Sequence, residues 1–137
     1  MENQKYEILE HTGDVKIKVY GNTKEELFEN AMLGMMAVSK PKPKVQNPKQ
    51  KSIKIQSPDI NTLLVDFLSE VNYLRQVDRE VYERVRFTKF SDVDLEGELE
   101  RYEVEEFGED IKAVTFHDLD IHQNPQGLWE TIIVFDV

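Results

Sequence analysis

The chain has 137 residues, of which 39% are hydrophobic and 32% are charged, and it contains no cysteine. This length is enough for one domain with its own hydrophobic core, which we expect to span residues 1–137. The lack of cysteine excludes disulfide bonds and zinc sites built on thiolates. No apolar run reaches the roughly 20 residues that cross a bilayer, and no apolar signal region follows Met1, so we expect a cytoplasmic protein without membrane contact.

Acidic residues dominate the charge, because 27 aspartates and glutamates against 17 lysines and arginines give a formal net charge of −10. Proteins that bind nucleic acid on their own are usually basic, since they neutralise phosphates. The charge therefore argues against autonomous RNA or DNA binding. It is more typical of a protein that binds a cation or a basic protein partner.

Two strands are predicted at the start of the chain, over residues 6–9 and 15–20, and the second alternates apolar with charged residues. The link between them contains Gly13, whose backbone can adopt conformations that other residues rarely reach. Asp14 follows at the edge of the second strand. From the residues alone, this acid is either a turn residue or a ligand.

Two helices are predicted from their start signals and apolar stripes. Thr23 and Glu26 form a capping box at the first helix, which should end before Pro41. Ser57, followed by proline, is the expected cap of the second helix, over residues 59–75. The apolar stripes are Leu27, Phe28, Ala31, Met32 and Met35 in the first helix, and Leu63, Leu64, Phe67, Leu68, Val71 and Leu74 in the second.

Residues 40–51 are predicted to form a loop, because they include three prolines and five lysines. Proline lacks a backbone donor and is excluded from central strands. On an acidic protein, this basic loop is either simply solvated or a contact for phosphate or for an acidic surface. Residues 52–56 then alternate as a short strand.

Beyond Asp78 the apolar pattern has a period of two, which predicts two antiparallel strands that meet near Ser91 and Asp92. Gly97 is expected to mark a bulge or a close approach of another segment. Acidic residues alternate along the second of these strands and predict a solvated, acidic sheet face. They are Asp94, Glu96, Glu98 and Glu100.

Residues 111–121 are predicted as one strand whose alternation breaks near His117 and Asp118, so that either both faces are covered or a bulge interrupts it. The last strand, residues 128–137, is apolar on both faces and is therefore expected to be central and buried. Asp136 lies near its tip, where a carboxylate needs a partner. The order of elements predicts an α+β fold, with two helices packed on largely antiparallel sheets.

Three carboxylates at strand ends are candidate ligands: the side chains of Asp14 and Asp136, and the terminal carboxylate of Val137. If these groups meet, such an all-oxygen set suits a hard cation, namely calcium, magnesium or manganese. The three histidines are too scattered along the chain to predict a zinc site. No nucleophile motif and no phosphate-binding glycine loop is present.

Five stretches of the chain follow a known family pattern in the family's order: residues 6–15, 21–28, 63–70, 111–117 and 132–137. The first contains Glu10-His11-Thr12-Gly13-Asp14, where the family has Asp-His-Thr-Ala-Asp after a strand. Together these stretches resemble the archease family over nearly the whole chain. The sequence departs from the pattern at Glu10, at Gly13 and at Ser39-Lys40, where the family often has an acid that could be a third carboxylate ligand.

The resemblance implies an accessory protein, rather than an enzyme, that activates the GTP-dependent (RtcB-type) RNA ligase. It would promote guanylylation of the ligase and its multiple turnover in tRNA splicing and RNA repair, and would meet RNA only indirectly, through the ligase. Its cation is expected to be calcium in isolation, with magnesium or manganese as alternatives. Metal binding maps onto Asp14, Asp136 and Val137, and partner activation onto Lys112, His117 and His11.

Two other classes of function stay open. The first is a stand-alone metal-dependent phosphate hydrolase, with Asp14 and Asp136 as ligands and His117 as the base. The second is a chaperone-like protein-binding module, which needs a large exposed apolar patch. Against the second, most apolar residues belong to the periodic stripes that predict the core.

Overall fold

Two antiparallel sheets and two helices share one hydrophobic core in the computed structural model, which describes residues 4–11, 13–44 and 48–137. This arrangement confirms the predicted α+β fold. The helices are α1 (Lys24–Ser39) and α2 (Ile60–Asp78). The strands are β1 (Tyr6–His11), β2 (Asp14–Gly21), β3 (Pro41–Pro43), β4 (Lys49–Gln56), β5 (Glu80–Phe90), β6 (Asp94–Phe107), β7 (Ala113–Thr115), β8 (His122–Gln123) and β9 (Trp129–Asp136).

The first sheet is organised around β9, the strand that the sequence predicts to be central. It has the order β1-β2-β9-β7, and β8 also pairs with β9. On its inner face, Ile17 of β2 lies opposite Ile133 of β9, and both side chains are fully buried. Because side chains alternate between faces along a strand, the residues between these buried positions lie on the outer face of the sheet.

The second sheet is organised around β6, which pairs with β3, β4 and β5. The carboxylates on the predicted acidic face of β6 have partners, three of them from the neighbouring strands and one from β6 itself. Ion pairs join Asp94 to Lys89 at 2.9 Å, Glu96 to Lys54 at 3.4 Å and Glu98 to Arg86 at 3.0 Å, and Glu100 accepts a hydrogen bond from Tyr102 at 2.7 Å. The predicted acidic face is therefore partly solvated, and it also contains basic residues of β4 and β5, which the pattern of β6 alone did not predict.

The start of α1 confirms half of the predicted capping box. The Thr23 hydroxyl accepts a hydrogen bond from the Glu26 N–H at 3.1 Å. The Glu26 carboxylate accepts from the N–H of Asn22 at 3.2 Å, one residue earlier than predicted. The apolar stripe of α1 is fully buried, as predicted.

The cap of α2 lies two residues after the predicted one. Asp59 is the cap, and its carboxylate accepts a hydrogen bond from the Thr62 N–H at 2.8 Å. The Ser57 hydroxyl instead donates to Asp66 at 2.6 Å. Aspartate is as good a cap as serine, and the earlier residue found a side-chain partner. No helix in the described part of the chain is long and apolar enough to cross a membrane.

Part of the predicted loop at residues 40–51 forms strands. Pro41 and Pro43 lie in β3, which pairs with the end of β6, and β4 begins at Lys49 rather than at Ser52. Proline is tolerated in β3 because this strand pairs on one side only, so that its missing N–H breaks no ladder. Residues 45–47 lie outside the described residues.

The predicted strand at residues 111–121 is interrupted where its alternation breaks. After β7 the Leu119 N–H donates to the Phe116 carbonyl at 3.1 Å, and Asp118 has a positive φ of 61°. The interruption is thus a turn, wider than the expected bulge, and β8 rejoins β9 beyond it.

Gly97 marks a close approach, as the sequence predicts, and its replacement by alanine tests the packing of this sheet. A Cβ atom at position 97 would lie 2.6 Å from the backbone carbonyl oxygen of Arg86. We expect Gly97→Ala to lower the free energy of unfolding by about 1–3 kcal/mol, because β5 would have to shift. Urea denaturation measures this loss. The exposed Ser52→Ala on β4 is the control, with an expected change within about 0.5 kcal/mol. If Gly97→Ala is as stable as the wild type, β5 and β6 are not as close at this position as the structure shows.

Candidate metal and partner-binding site

Asp14 and Asp136 face each other across two neighbouring strands. They form the last residue pair of the antiparallel ladder between β2 and β9. Directly opposite residues project from the same face of a sheet, with their Cβ atoms about 5 Å apart. The structure therefore brings together two carboxylates that are separated by most of the sequence.

Local structure explains why both acids reach the rim of the sheet. Gly13, with a φ of 82°, turns the chain from β1 into β2, so Asp14 is the first residue of its strand. Val15 and Phe135, the next pair, contribute to the core on the inner face. The carboxylates consequently lie on the outer face, at the tip of the sheet.

The two acids differ in burial, and the difference corrects an expectation. Asp136 is exposed, whereas Asp14 is half-buried, and its buried Oδ1 atom has no hydrogen-bond partner among the residues that the structure describes. The sequence indicated Asp136 as the acid that needs a partner, because its strand is apolar on both faces. The structure assigns that need to Asp14. A buried oxygen without a donor, opposite a second carboxylate, is unfavourable unless a cation lies between them.

The third predicted ligand, the terminal carboxylate of Val137, belongs to the residue after Asp136. Val137 follows β9, and its side chain packs against the core. The His11 backbone pairs with Asp14, but its side chain lies outside the described residues. In the described part of the chain, no group of three or more His, Cys, Asp or Glu side chains could hold a metal ion. The structure thus provides a two-carboxylate site, which fits a hard cation completed by other oxygen ligands.

Lys112 lies beside the carboxylate pair. Its backbone N–H donates to the Asp136 carbonyl at 2.8 Å, immediately before β7. Its side chain is exposed and has no ion-pair partner among the residues that the structure describes. This lysine is therefore available to contact a partner.

His117 lies on the turn after β7, on the same edge of the sheet. Its ring is exposed, with Nε2 3.7 Å from a carboxylate oxygen of Asp118. Lys16 holds that aspartate through an ion pair of 3.2 Å. Because Lys16 is two residues from Asp14, the turn is anchored to the strand that carries the carboxylate site.

Comparison with known proteins identifies the family to which the chain belongs. The sequence model of the Archease protein family (MTH1598/TM1083) matches residues 6–137. The chain belongs to the archease family. It is 38% identical to the protein archease of Methanosarcina acetivorans, over 99% of this chain and 98% of that protein.

Two solved structures share the archease fold. Protein 1598 of Methanobacterium thermoautotrophicum has a TM-score of 0.71 and 27% identity, over 96% of this chain and 98% of that one. An archease from Thermotoga maritima, described as a possible chaperone, has a TM-score of 0.69 and 22% identity, over 100% of this chain and 98% of that one. The second comparison supports the fold alone.

Sequence reasoning missed three polar residues of α2 that contact the segment before Lys112. The side chains of Asn72, Arg75 and Gln76 all donate to the carbonyl of Ile111, at 3.0, 3.4 and 2.8 Å. We call these three residues the α2 clamp. Their spacing of three and four residues places them on one helix face, which was the available signal. Nothing in the sequence indicated their common acceptor, 35 residues or more away.

The effect of calcium on stability tests the carboxylate pair without any partner protein. In a chelator, Asp136→Asn should be more stable than wild type by about 0.2–1 kcal/mol, because it relieves repulsion between opposed charges. In calcium, we expect the wild type to gain stability and the variant to gain much less. Thermal denaturation in both buffers measures the difference. The exposed Asp120→Asn is a charge-matched control that should respond like wild type, and an equal calcium response of Asp136→Asn would contradict the site.

Proposed function

We propose that this chain is a metal-binding accessory protein that activates a GTP-dependent (RtcB-type) RNA ligase, by promoting its guanylylation and multiple turnover. The observation that carries the proposal is the opposed pair of Asp14 and Asp136 in a member of the archease family. A buried oxygen of Asp14 has no donor among the described residues. The proposed setting is tRNA splicing and RNA repair in the cytoplasm. The archease itself performs no catalysis in this scheme.

Asp14 and Asp136 would hold the divalent cation, with the carboxylate of Val137 as a further ligand. Calcium is proposed for the isolated protein, and magnesium or manganese are alternatives with the same preference for oxygen. A divalent cation supplies charge neutralisation for a triphosphate during nucleotidyl transfer. The chain's own contribution is a rigid position, since both carboxylates are fixed by the register of β2 and β9.

The contact with the ligase is proposed to involve Lys112, His117 and His11. Lys112 has an exposed side chain and its backbone N–H contacts Asp136, and His117 has an exposed ring on the neighbouring turn. The His11 backbone lies opposite Asp14, which places this residue at the same tip. The net charge of −10 suits a protein partner better than direct RNA binding.

The other two classes of function have weaker support. A metal-dependent hydrolase would use metal-bound water as its nucleophile and His117 as the base. Among the described residues, the carboxylate that the His117 ring approaches is Asp118, at 3.7 Å, and neither member of the Asp14 and Asp136 pair. A chaperone would need a continuous exposed apolar surface. Among the described residues, only Tyr73 and Val77 of the large exposed apolar side chains share an element, α2, and the others lie elsewhere in the chain: Ile8, Val93 and Phe116.

A guanylylation assay tests the proposal directly. With limiting ligase of the same organism, GTP and excess RNA, Asp136→Asn should fold normally and fail to stimulate, because one ligand charge is lost. Lys112→Ala should also stimulate less than wild type but keep its stabilisation by calcium, since the lysine acts on the partner or on a phosphate.

The matched control for the lysine is Lys54→Ala, an exposed lysine of the other sheet with 72% side-chain exposure. It should stimulate like wild type. Full stimulation by Asp136→Asn would mean that the charged tip is structural, and the activation mechanism would then be wrong even for a member of this family.

A further inference from the structure

The α2 clamp includes a charge that is costly to bury. Arg75 is only 2% exposed, and burial lowers the pKa of its guanidinium. Its Nε donates to Asn72 at 2.9 Å, its guanidinium lies 4.6 Å from the ring centre of Phe107, and Nη2 lies 3.5 Å from Asp110. A buried charge needs such compensation, because desolvation of a guanidinium costs several kcal/mol. Apart from Asn72, its partners belong to the segment that leads to Lys112.

The α2 clamp and β9 both form hydrogen bonds with the peptide group that joins Ile111 to Lys112. The Ile111 carbonyl accepts from the clamp, while the N–H of the same peptide, which belongs to Lys112, donates to Asp136 at 2.8 Å. A planar peptide held at both its oxygen and its nitrogen has little freedom to rotate. The position of the Lys112 Cα is therefore determined by α2 and β9 together.

The same helix also holds the far end of this segment. Asn61, in the first turn of α2, accepts a hydrogen bond from the Ile121 N–H at 3.0 Å. The segment between Ile111 and Ile121 carries both Lys112 and His117 and has only the short strand β7 within it. Side chains of one helix thus replace the strand pairing that this segment lacks.

We propose that Asn72, Arg75 and Gln76 are positioning residues, which fix Lys112 beside the carboxylate pair so that it meets the ligase in a defined place. The effect on the ligase rests on the proposed function. The effect of the three residues on the Lys112 backbone does not, and it can be measured without a partner protein. Gln76 is the best residue to test, because it is exposed and its loss leaves no buried charge unpaired. Substitutions of Arg75 or Asn72 risk unfolding for that reason.

The test variant is Gln76→Glu, which keeps the shape of the side chain but replaces its donor by an acceptor. The control is Gln123→Glu, which makes the same charge change at a glutamine that donates to the Gly127 carbonyl at 3.0 Å. We expect Gln76→Glu to speed hydrogen exchange of the Lys112 amide by about fivefold, the factor for one net hydrogen bond, with no partner protein present. Gln123→Glu should leave this amide unchanged.

A double-mutant cycle in the guanylylation assay tests the effect on the ligase. Gln76→Glu should reduce stimulation by about fivefold in the wild type and have no further effect in Lys112→Ala, because the clamp acts only through that lysine. An equal loss in both backgrounds, or unchanged exchange at Lys112, would overturn the proposal. If Lys112→Ala itself stimulates like wild type, the proposed role of the lysine is wrong, and so is the proposed effect of the α2 clamp on activation. The hydrogen-exchange data would still show whether the clamp fixes the Lys112 backbone.

Discussion

The pairing of β2 with β9 is the constraint on which the rest of the site depends. A slip of one residue would send Asp136 to the inner face, because side chains alternate along a strand. The register is held by the buried inner row, in which Ile17 lies opposite Ile133. The same β9 receives the Lys112 N–H on its other edge. Core packing on one face therefore determines the positions of the charged groups at the tip.

Periodicity in the sequence predicted most of the fold because it reports burial directly. The stripes of both helices are buried, and β9, apolar on both faces, is indeed central. The site depended on a different kind of information, since composition left Asp14 open between a turn residue and a ligand. The strand-end positions of Asp14 and Asp136 suggested a shared site, but the sequence alone did not show that the two residues meet, because that depends on the pairing of β2 with β9.

The features that sequence reasoning missed depend on neighbours distant in the chain. β3 exists because the end of β6 offers it a partner, although its two prolines predict a loop. The acids of β6 are paired because bases lie on the adjacent strands. The α2 clamp joins Gln76 to Ile111 through a contact that no local pattern records. In each case the deciding partner lies in a distant part of the chain, which the local sequence pattern does not indicate.

The charge pattern along β2 and β9 gives a physical reason to regard the tip as functional. On the same outer face, Lys18 pairs with Glu130 at 3.4 Å, so these strands follow the usual preference for opposite charges. At the tip, Asp14 and Asp136 break that preference. Local conflicts of this kind are expected at functional sites, where stability is given up for chemistry. Because the conflict is confined to one residue pair at the rim, a single bound cation could relieve it without any change in the core.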